Sequence, residues 1–310
     1  MKRFKNILVV VNDETDTLSQ PAVSRGIELA RKNGARVTLM DVVKPPKHAI
    51  FKYKGIIKPE ELGEKFVSRR LSELGQIAEQ FGGNVDISTK VSLGHDFIEI
   101  IRQVVLEEHD LLIKTANNHP QSFDSSDFHL MRKCPEPVWL LKEKERIKSG
   151  KILAAIDLSL EDETEGKALN ALIMDLATSL AEWENKEIHV LSCWSLYGEN
   201  ALRHSGFIKV PEEEIVELIK QEEHANYERL NHLANRYGKN DIHRHLLKGE
   251  PVKCIPQFTH DHGIETVVMG TVARSGIPGL LIGNTAETIL HSLDSSVITV
   301  KPGGFVSPVK

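Results

Sequence analysis

Apolar residues fall along this chain in two alternating patterns. Short continuous runs rich in β-branched side chains, such as N-I-L-V-V-V over 6–11, read as strands buried on both faces. Between them stand stretches whose apolar residues recur every three or four positions, the spacing of an amphipathic helix. After the first run, Pro21 opens a helix with Val23, Ile27 and Ala30 on one face and Gly34 as its C-cap. A strand over 35–43 ends at Pro45-Pro46, and a loop over 44–58 follows. A long helix from Pro59 to Phe81 carries the stripe Leu62, Phe66, Leu71, Leu74, Ile77, Ala78 and Phe81. A third strand over 84–93 leads to a helix over 95–108 held by Phe97, Ile101, Val104 and Val105. Short strands over 111–113 and 138–141 complete the series. Strand and helix in alternation predict an α/β fold, a parallel sheet with helices on both faces.

The rhythm then restarts. K-N-I-L-V-V-V-N-D from Lys5 returns as G-K-I-L-A-A-I-D from Gly150, and P-V-W-L-L-K from Pro137 returns as S-V-I-T-V-K from Ser296. H-D-L-L-I-K-T from His109 matches I-E-T-V-V-M-G-T from Ile264. These matches predict an internal duplication: residues 1–144 and 150–310 each form a five-stranded flavodoxin-like (Rossmann-like) domain. The two copies are expected to pack as a pseudo-dimer. Further dimerisation stays open.

One stretch of the second copy has the order in which α/β proteins build an anion site. The apolar run Thr266–Met269 breaks at Gly270, a glycine-rich loop follows, and Gly283-Asn284-Thr285 opens a helix. Ligands of open parallel sheets sit beyond the carboxyl ends of the strands where the strand order reverses. Here Asp157, ending the first strand of that copy, and Gly270, ending the fourth, point to one crevice. A carboxylate there can accept hydrogen bonds from a ribose or base, and the glycine loop can take phosphates. Arg274 adds a guanidinium able to grip a phosphate with two bonds.

Charge and composition narrow the class. A formal net charge of −5 gives no reason to expect nucleic acid as a partner. No apolar window reaches the length of a membrane span. Three scattered cysteines, Cys134, Cys193 and Cys254, fit a cytoplasmic protein without a disulfide framework.

On these residues the chain resembles a tandem universal stress protein, and specifically the universal stress protein E group. Nucleotide-binding members carry Gly, two residues, Gly, nine residues, then Gly followed by Ser, Thr or sometimes Asn. Gly270, Thr271-Val272, Ala273, nine residues and Gly283-Asn284 fit that spacing with Ala273 in place of the second glycine. The tracts G-N-T-A-E from Gly283 and S-D-F-H-L-M-R-K-C-P-E-P-V-W from Ser126 strengthen the likeness to the E group. The resemblance implies an adenine nucleotide, ATP or ADP with Mg²⁺, in the second half. Asp157 and Cys193 would lie on the adenosine side; Gly270, Thr271, Ala273, Gly283, Asn284 and Thr285 would line the phosphate path. It implies a role in stress survival, with at most slow ATP hydrolysis, since no general base stands out. The methyl of Ala273 adds bulk where an amide would approach a phosphate oxygen.

The first half has Thr115 where the second has Gly270, and no glycine between Ala116 and Cys134. It is not expected to bind nucleotide in the family manner. His119, Asp127, His129 and Cys134 there are metal-capable but match no standard zinc spacing; the competing reading has Asp127 capping the short helix and Cys134 buried. His243 and His245 share a strand face, with solvated imidazoles the favoured reading. The loops 44–58 and 195–210 carry Ile50, Phe51, Tyr197 and Phe207. They cover the core or, alternatively, help enclose a hydrophobic, lipid-like ligand in a non-enzymatic binding protein.

Overall fold

Strands that are apolar on both faces need helices on both sides of the sheet, and the chain supplies them. The computed structural model describes residues 3–11, 21–44, 59–81, 83–116, 123–142, 150–161, 163–204, 210–238, 241–271 and 283–309. Its first half runs β1 (Asn6–Val10), α1 (Pro21–Asn33), β2 (Arg36–Val43), α2 (Pro59–Phe81), β3 (Asp86–Leu93), α3 (Asp96–Leu106), β4 (Leu111–Thr115), α4 (Ser125–Lys133) and β5 (Val138–Leu141). The second half begins with β6 (Lys151–Ile156), a 3₁₀ turn (Leu158–Leu160), α5 (Thr164–Glu184), β7 (Glu187–Trp194) and α6 (Glu199–His204). It continues with α7 (Glu212–Asn235), β8 (Ile242–Lys248), α8 (Pro251–His262), β9 (Thr266–Gly270), α9 (Asn284–Ser292) and β10 (Ser296–Val300).

The strands form one ten-stranded sheet in the order β3-β2-β1-β4-β5-β10-β9-β6-β7-β8. Within each half all pairings are parallel and the order is Rossmann-like, third-second-first-fourth-fifth. Successive side chains take opposite faces: Ile7 and Val9 join the core under α1, α2, α5 and α7, while Leu8 and Val10 join the core under α3, α4, α8 and α9. Among the described residues no helix is long and apolar enough to cross a membrane.

The halves meet at β5 and β10, which pair antiparallel with Trp139 opposite Ile298 and Leu140 opposite Val297. All four residues of β5 and all five of β10 are buried. Each joined strand is followed by a lysine that reaches into the other half. The Lys142 amide donates to Ser296 Oγ at 3.0 Å and its ammonium to the Leu293 carbonyl at 2.5 Å. Lys301 Nζ donates to the Met131 carbonyl at 2.7 Å. Arg132 of α4 pairs with Glu287 of α9 on the same side. Across the other face Arg25 of α1 pairs with Glu184 of α5, and Trp139 meets Trp183 edge-on at 6.1 Å.

The helical stripes differ from the expected ones in α2 and α3. Phe66 and Leu71 of α2 and Val105 of α3 are exposed. In α2 the buried face passes through Arg70, Leu74 and Ile77. Arg70 Nε bonds Asp41 Oδ2 on β2 at 2.5 Å and Nη1 bonds Glu73 at 2.9 Å. A satisfied guanidinium therefore holds a core position beside Leu74 and Ile77, which belong to the expected stripe, while Phe66 and Leu71 face outward.

Burial lowers the Lys301 ammonium from 10.5 to about 8. It binds its proton less tightly folded than unfolded. Between about pH 8 and 10.5 the unfolded chain therefore holds more protons, and this group's contribution to stability rises with pH across that window. Lys301→Met is expected to stabilise the fold at pH 7 by on the order of 2 kcal/mol, the relieved desolvation less one lost hydrogen bond. Urea unfolding at pH 7 through 10 should show that advantage shrinking with pH; a difference that does not move with pH would contradict the assignment.

Candidate functional site

The carboxyl ends of β6 and β9 lie side by side, and this is where the second half reverses its strand order. β6 leaves the sheet at Asp157, whose carboxylate accepts from the Ser159 amide at 3.0 Å and from Ser159 Oγ at 2.6 Å, capping the 3₁₀ turn. Asn170 of α5, almost fully buried, fixes that exit from behind. Its Oδ1 accepts from the Asp157 amide at 3.3 Å; its Nδ2 donates to the Asp157 carbonyl at 2.9 Å and to Glu161 Oε1 at 2.8 Å. Gly166 lets the start of α5 lie against the Leu160 carbonyl, where a Cβ would collide. The turn after β6 is thus held by helix and backbone together.

β9 ends at Gly270, where a Cβ would come 3.0 Å from Leu169 Cδ2. The next residue, Thr271, is buried and donates its amide to the Val300 carbonyl at 3.1 Å. The Thr271 carbonyl in turn accepts from the Gly283 amide at 2.9 Å, so the segment between them starts and ends at one hydrogen bond. Ala273 and Arg274 lie in that segment, outside the described residues. Gly283 is the N-cap of α9 and has no side chain with which to occupy the first-turn amides. Those amides and the positive end of the helix dipole are presented next to Gly270 and Thr271.

Asp157, Cys193, Gly270, Thr271, Gly283 and Thr285 line one cavity of about 270 Å³. Of the expected site residues, Asn284 belongs to the same helical turn but not to the cavity wall. The rest of the wall is largely apolar: Ile156, Leu169 and Ile173 on one side, Pro251, Ile255, Met269 and Ile289 on the other. Burial, reinforced by Cys254 and Asp157, pushes the Cys193 thiol up to about 12, so it is a neutral, weakly polar surface. Asn170 was legible in principle as a polar residue in the otherwise apolar run A-L-N-A-L-I-M of α5. Ile255 carried no such signal, because only the packing of α8 brings it there.

The equivalent corner of the first half is built differently. Helix α4 has the same nine-residue length as α9, but its N-cap is Asp124, whose carboxylate accepts from the Asp127 amide at 2.7 Å. The Asp127 carboxylate accepts from the Asp124 amide, completing a capping box. Asp127 is therefore the third helical residue and not the cap. It is fully buried and bonded to Lys114 Nζ at 2.7 Å. Burial raises its carboxyl while Lys114 opposes the shift. Thr115, in the register position of Gly270, has its hydroxyl accept from the Ala22 amide at 3.2 Å.

The described zinc candidates of this half, Asp127, His129 and Cys134, do not form a metal-ligating cluster. Asp127 and Cys134 stand at opposite ends of α4; His129 packs on the Phe97 ring at 4.2 Å, and Cys134 is wholly buried with its thiol raised to about 11. His119 lies outside the described residues, as do Ile50, Phe51 and Phe207 of the apolar loops. The histidines of the second half do gather: His243 and His245 of β8 both stack against His189 of β7. Burial lowers His189, and burial with its neighbours lowers His245 to about 4.

The sequence profile of the universal stress protein family matches residues 3–142 and, a second time, residues 148–301. Universal stress protein E of Escherichia coli is 29% identical over alignments covering 100% of this chain and 98% of its own. The universal stress protein E homolog of Haemophilus influenzae is 25% identical, covering 97% and 98%. Among solved structures, a functionally unknown protein of Pseudomonas aeruginosa superposes with a TM-score of 0.72 at 26% identity, covering 97% of this chain and 94% of that one. A universal stress protein of Archaeoglobus fulgidus shares the fold, with a TM-score of 0.66 at 14% identity over 97% of this chain and 100% of its own.

The Asn170 bonds carry a stability prediction. Asn170→Ala removes three buried or half-buried hydrogen bonds and strands the Asp157 amide and carbonyl, a loss of about 2 kcal/mol. Urea denaturation of the variant reads this directly; a change below about 0.5 kcal/mol would mean that Asn170 does not hold the β6 exit.

Proposed function

The chain belongs to the universal stress protein family, and from that premise we propose that the cavity of its second half binds an adenine nucleotide, ATP or ADP, delivered with Mg²⁺. The observation that carries this reading is the contrast between two equivalent helix N-termini. At α4 the Asp124 carboxylate takes the first-turn amide of Asp127 and the Asp127 carboxylate takes the cap amide of Asp124, internal anions that would repel a phosphate. At α9 the cap is Gly283, and the amides are left for an external anion. The cavity is bordered by groups of the kinds a nucleotide requires. Asp157 at the end of β6 accepts hydrogen bonds from a ribose; the half-buried Cys193 and Ile255 offer an apolar bed for a purine; Gly270, Thr271, Gly283 and Thr285 border the phosphates. Arg274 and Ala273, in the connecting segment, are assigned to the same phosphates by their position in the sequence. The role follows from binding: nucleotide occupancy would switch the protein's conformation or its partners under stress. Hydrolysis, where it occurs, is slow.

The contrast also designs its own test. Gly283→Asp gives α9 the cap that α4 has, at a backbone conformation (φ −61°, ψ 141°) open to any residue. Calorimetric titration with Mg·ATP is expected to show binding to the wild type and a loss of at least tenfold in the variant, with thermal stability unchanged or raised. Absence of binding by the wild type at millimolar Mg·ATP, or equal binding by both, would overturn the reading. Because the cavity wall is largely apolar, mass spectrometry of ligand released from the purified protein distinguishes the remaining class: a lipid-like compound recovered in place of nucleotide would mark a hydrophobic-ligand carrier.

A further inference from the structure

At the other end of β7, away from the cavity, the second half gathers imidazoles that the nucleotide reading does not use. His189 of β7 lies directly opposite His243 of β8 in the parallel register, and their rings stack at 4.8 Å between centroids. Glu187, two residues before His189, shares its face of the strand. One ligating atom from each of Glu187, His189 and His243 lies within 4.8 Å of the other two. His189 is almost fully buried, and its Nε2 makes no hydrogen bond; it points toward Glu187, whose Oε2 is 3.5 Å away. Its other nitrogen, Nδ1, lies 3.0 Å from His245 Nε2.

We propose that Glu187, His189 and His243 form a binding site for a divalent first-row transition metal, zinc in type, with His245 as the group that orients His189. The donor set of two imidazoles and one carboxylate suits zinc and its neighbours and leaves one position for water or a further ligand. With the metal on Nε2, Nδ1 of His189 would carry the proton and donate across the 3.0 Å contact to His245 Nε2, the second-sphere pattern of metal-bound histidine. Tetrahedral ligation at about 2.0–2.1 Å needs donor atoms roughly 3.4 Å apart. Glu187 and His243 are exposed and can close that gap by rotation, while buried His189 stays in place. Among the described residues Lys151 Nζ, 3.9 Å from Glu187 Oε2, is the cation set beside this carboxylate and would give way to the metal. Phe258 and His262 of α8 pack against His245 and complete its support.

The probe is Zn²⁺ alone, titrated calorimetrically into the chelator-treated full chain without nucleotide, with Co²⁺ absorption as the report of ligand geometry. The wild type is expected to take up one equivalent that His243→Ala and Glu187→Gln each lose or bind at least tenfold more weakly. His245→Phe should weaken it by about ten- to a hundredfold. His260→Ala, an exposed histidine outside the cluster, should not change it. Because His243 and Glu187 are exposed, their variants should unfold at the wild-type temperature without metal, and only the wild type should gain thermal stability when Zn²⁺ is added. Lack of a stoichiometric equivalent in the wild type, or uptake that survives both His243→Ala and Glu187→Gln, would overturn the proposal.

Discussion

The antiparallel pairing of β5 with β10 is the contact on which the rest of this protein depends. Each half by itself would end its sheet in an apolar strand with a bare row of amides and carbonyls, the edge that proteins otherwise have to shield. Joining the two edges removes both at once, lets the helices of each half share one continuous core on either face, and leaves β3 and β8 as the outer limits of the sheet. The two lysines that follow the joined strands, each donating to a carbonyl across the junction, repeat one device in both directions. A buried ammonium is a costly way to make a hydrogen bond. Its retention at the seam ties the register of the strands to the position of α4 and α9, the helices whose N-termini distinguish the two halves.

Those N-termini show how one architecture gives two electrostatic outcomes. Strand, connecting segment and helix recur in both halves, so the dipole at the helix start recurs as well. What differs is which negative charge answers it. In the first half it is covalently part of the chain, two aspartates backed by the buried Lys114. In the second the cap is Gly283, which brings no charge of its own. The fold determines where an anion is favoured, and a few residues at the cap determine whether that anion is the protein's own.

Much of this was legible in the sequence because it rests on local periodicity. Runs such as Ile7–Val10 and Val138–Leu141 are buried on both faces and admit few readings, and Gly34 ends α1 with the positive φ its position required. Asp157 and Gly270 were brought to one crevice by topology alone. Features that depend on distant partners were not legible. Arg70 occupies a core face because Asp41 stands there on another element, and counting apolar residues placed Leu71 on that face instead. Asp127 looked like a cap or a metal ligand until Lys114 was found against it. His189 gave no signal at all: a lone histidine in an apolar strand acquires meaning only when the register places His243 opposite it.

The seam between β5 and β10 also sets an order of events during synthesis. β5 is complete early, yet the strand that covers its outer edge is the last of the ten, with β6 to β9 and all their helices made in between. Throughout that interval a growing chain carries a finished first half with one apolar edge unshielded. The brevity of β5, four residues, limits what a foreign strand could gain by docking there. Fusing two halves in one polypeptide thus guarantees the right partner for that edge, and makes the nascent chain, more than the mature protein, the form exposed to mispairing.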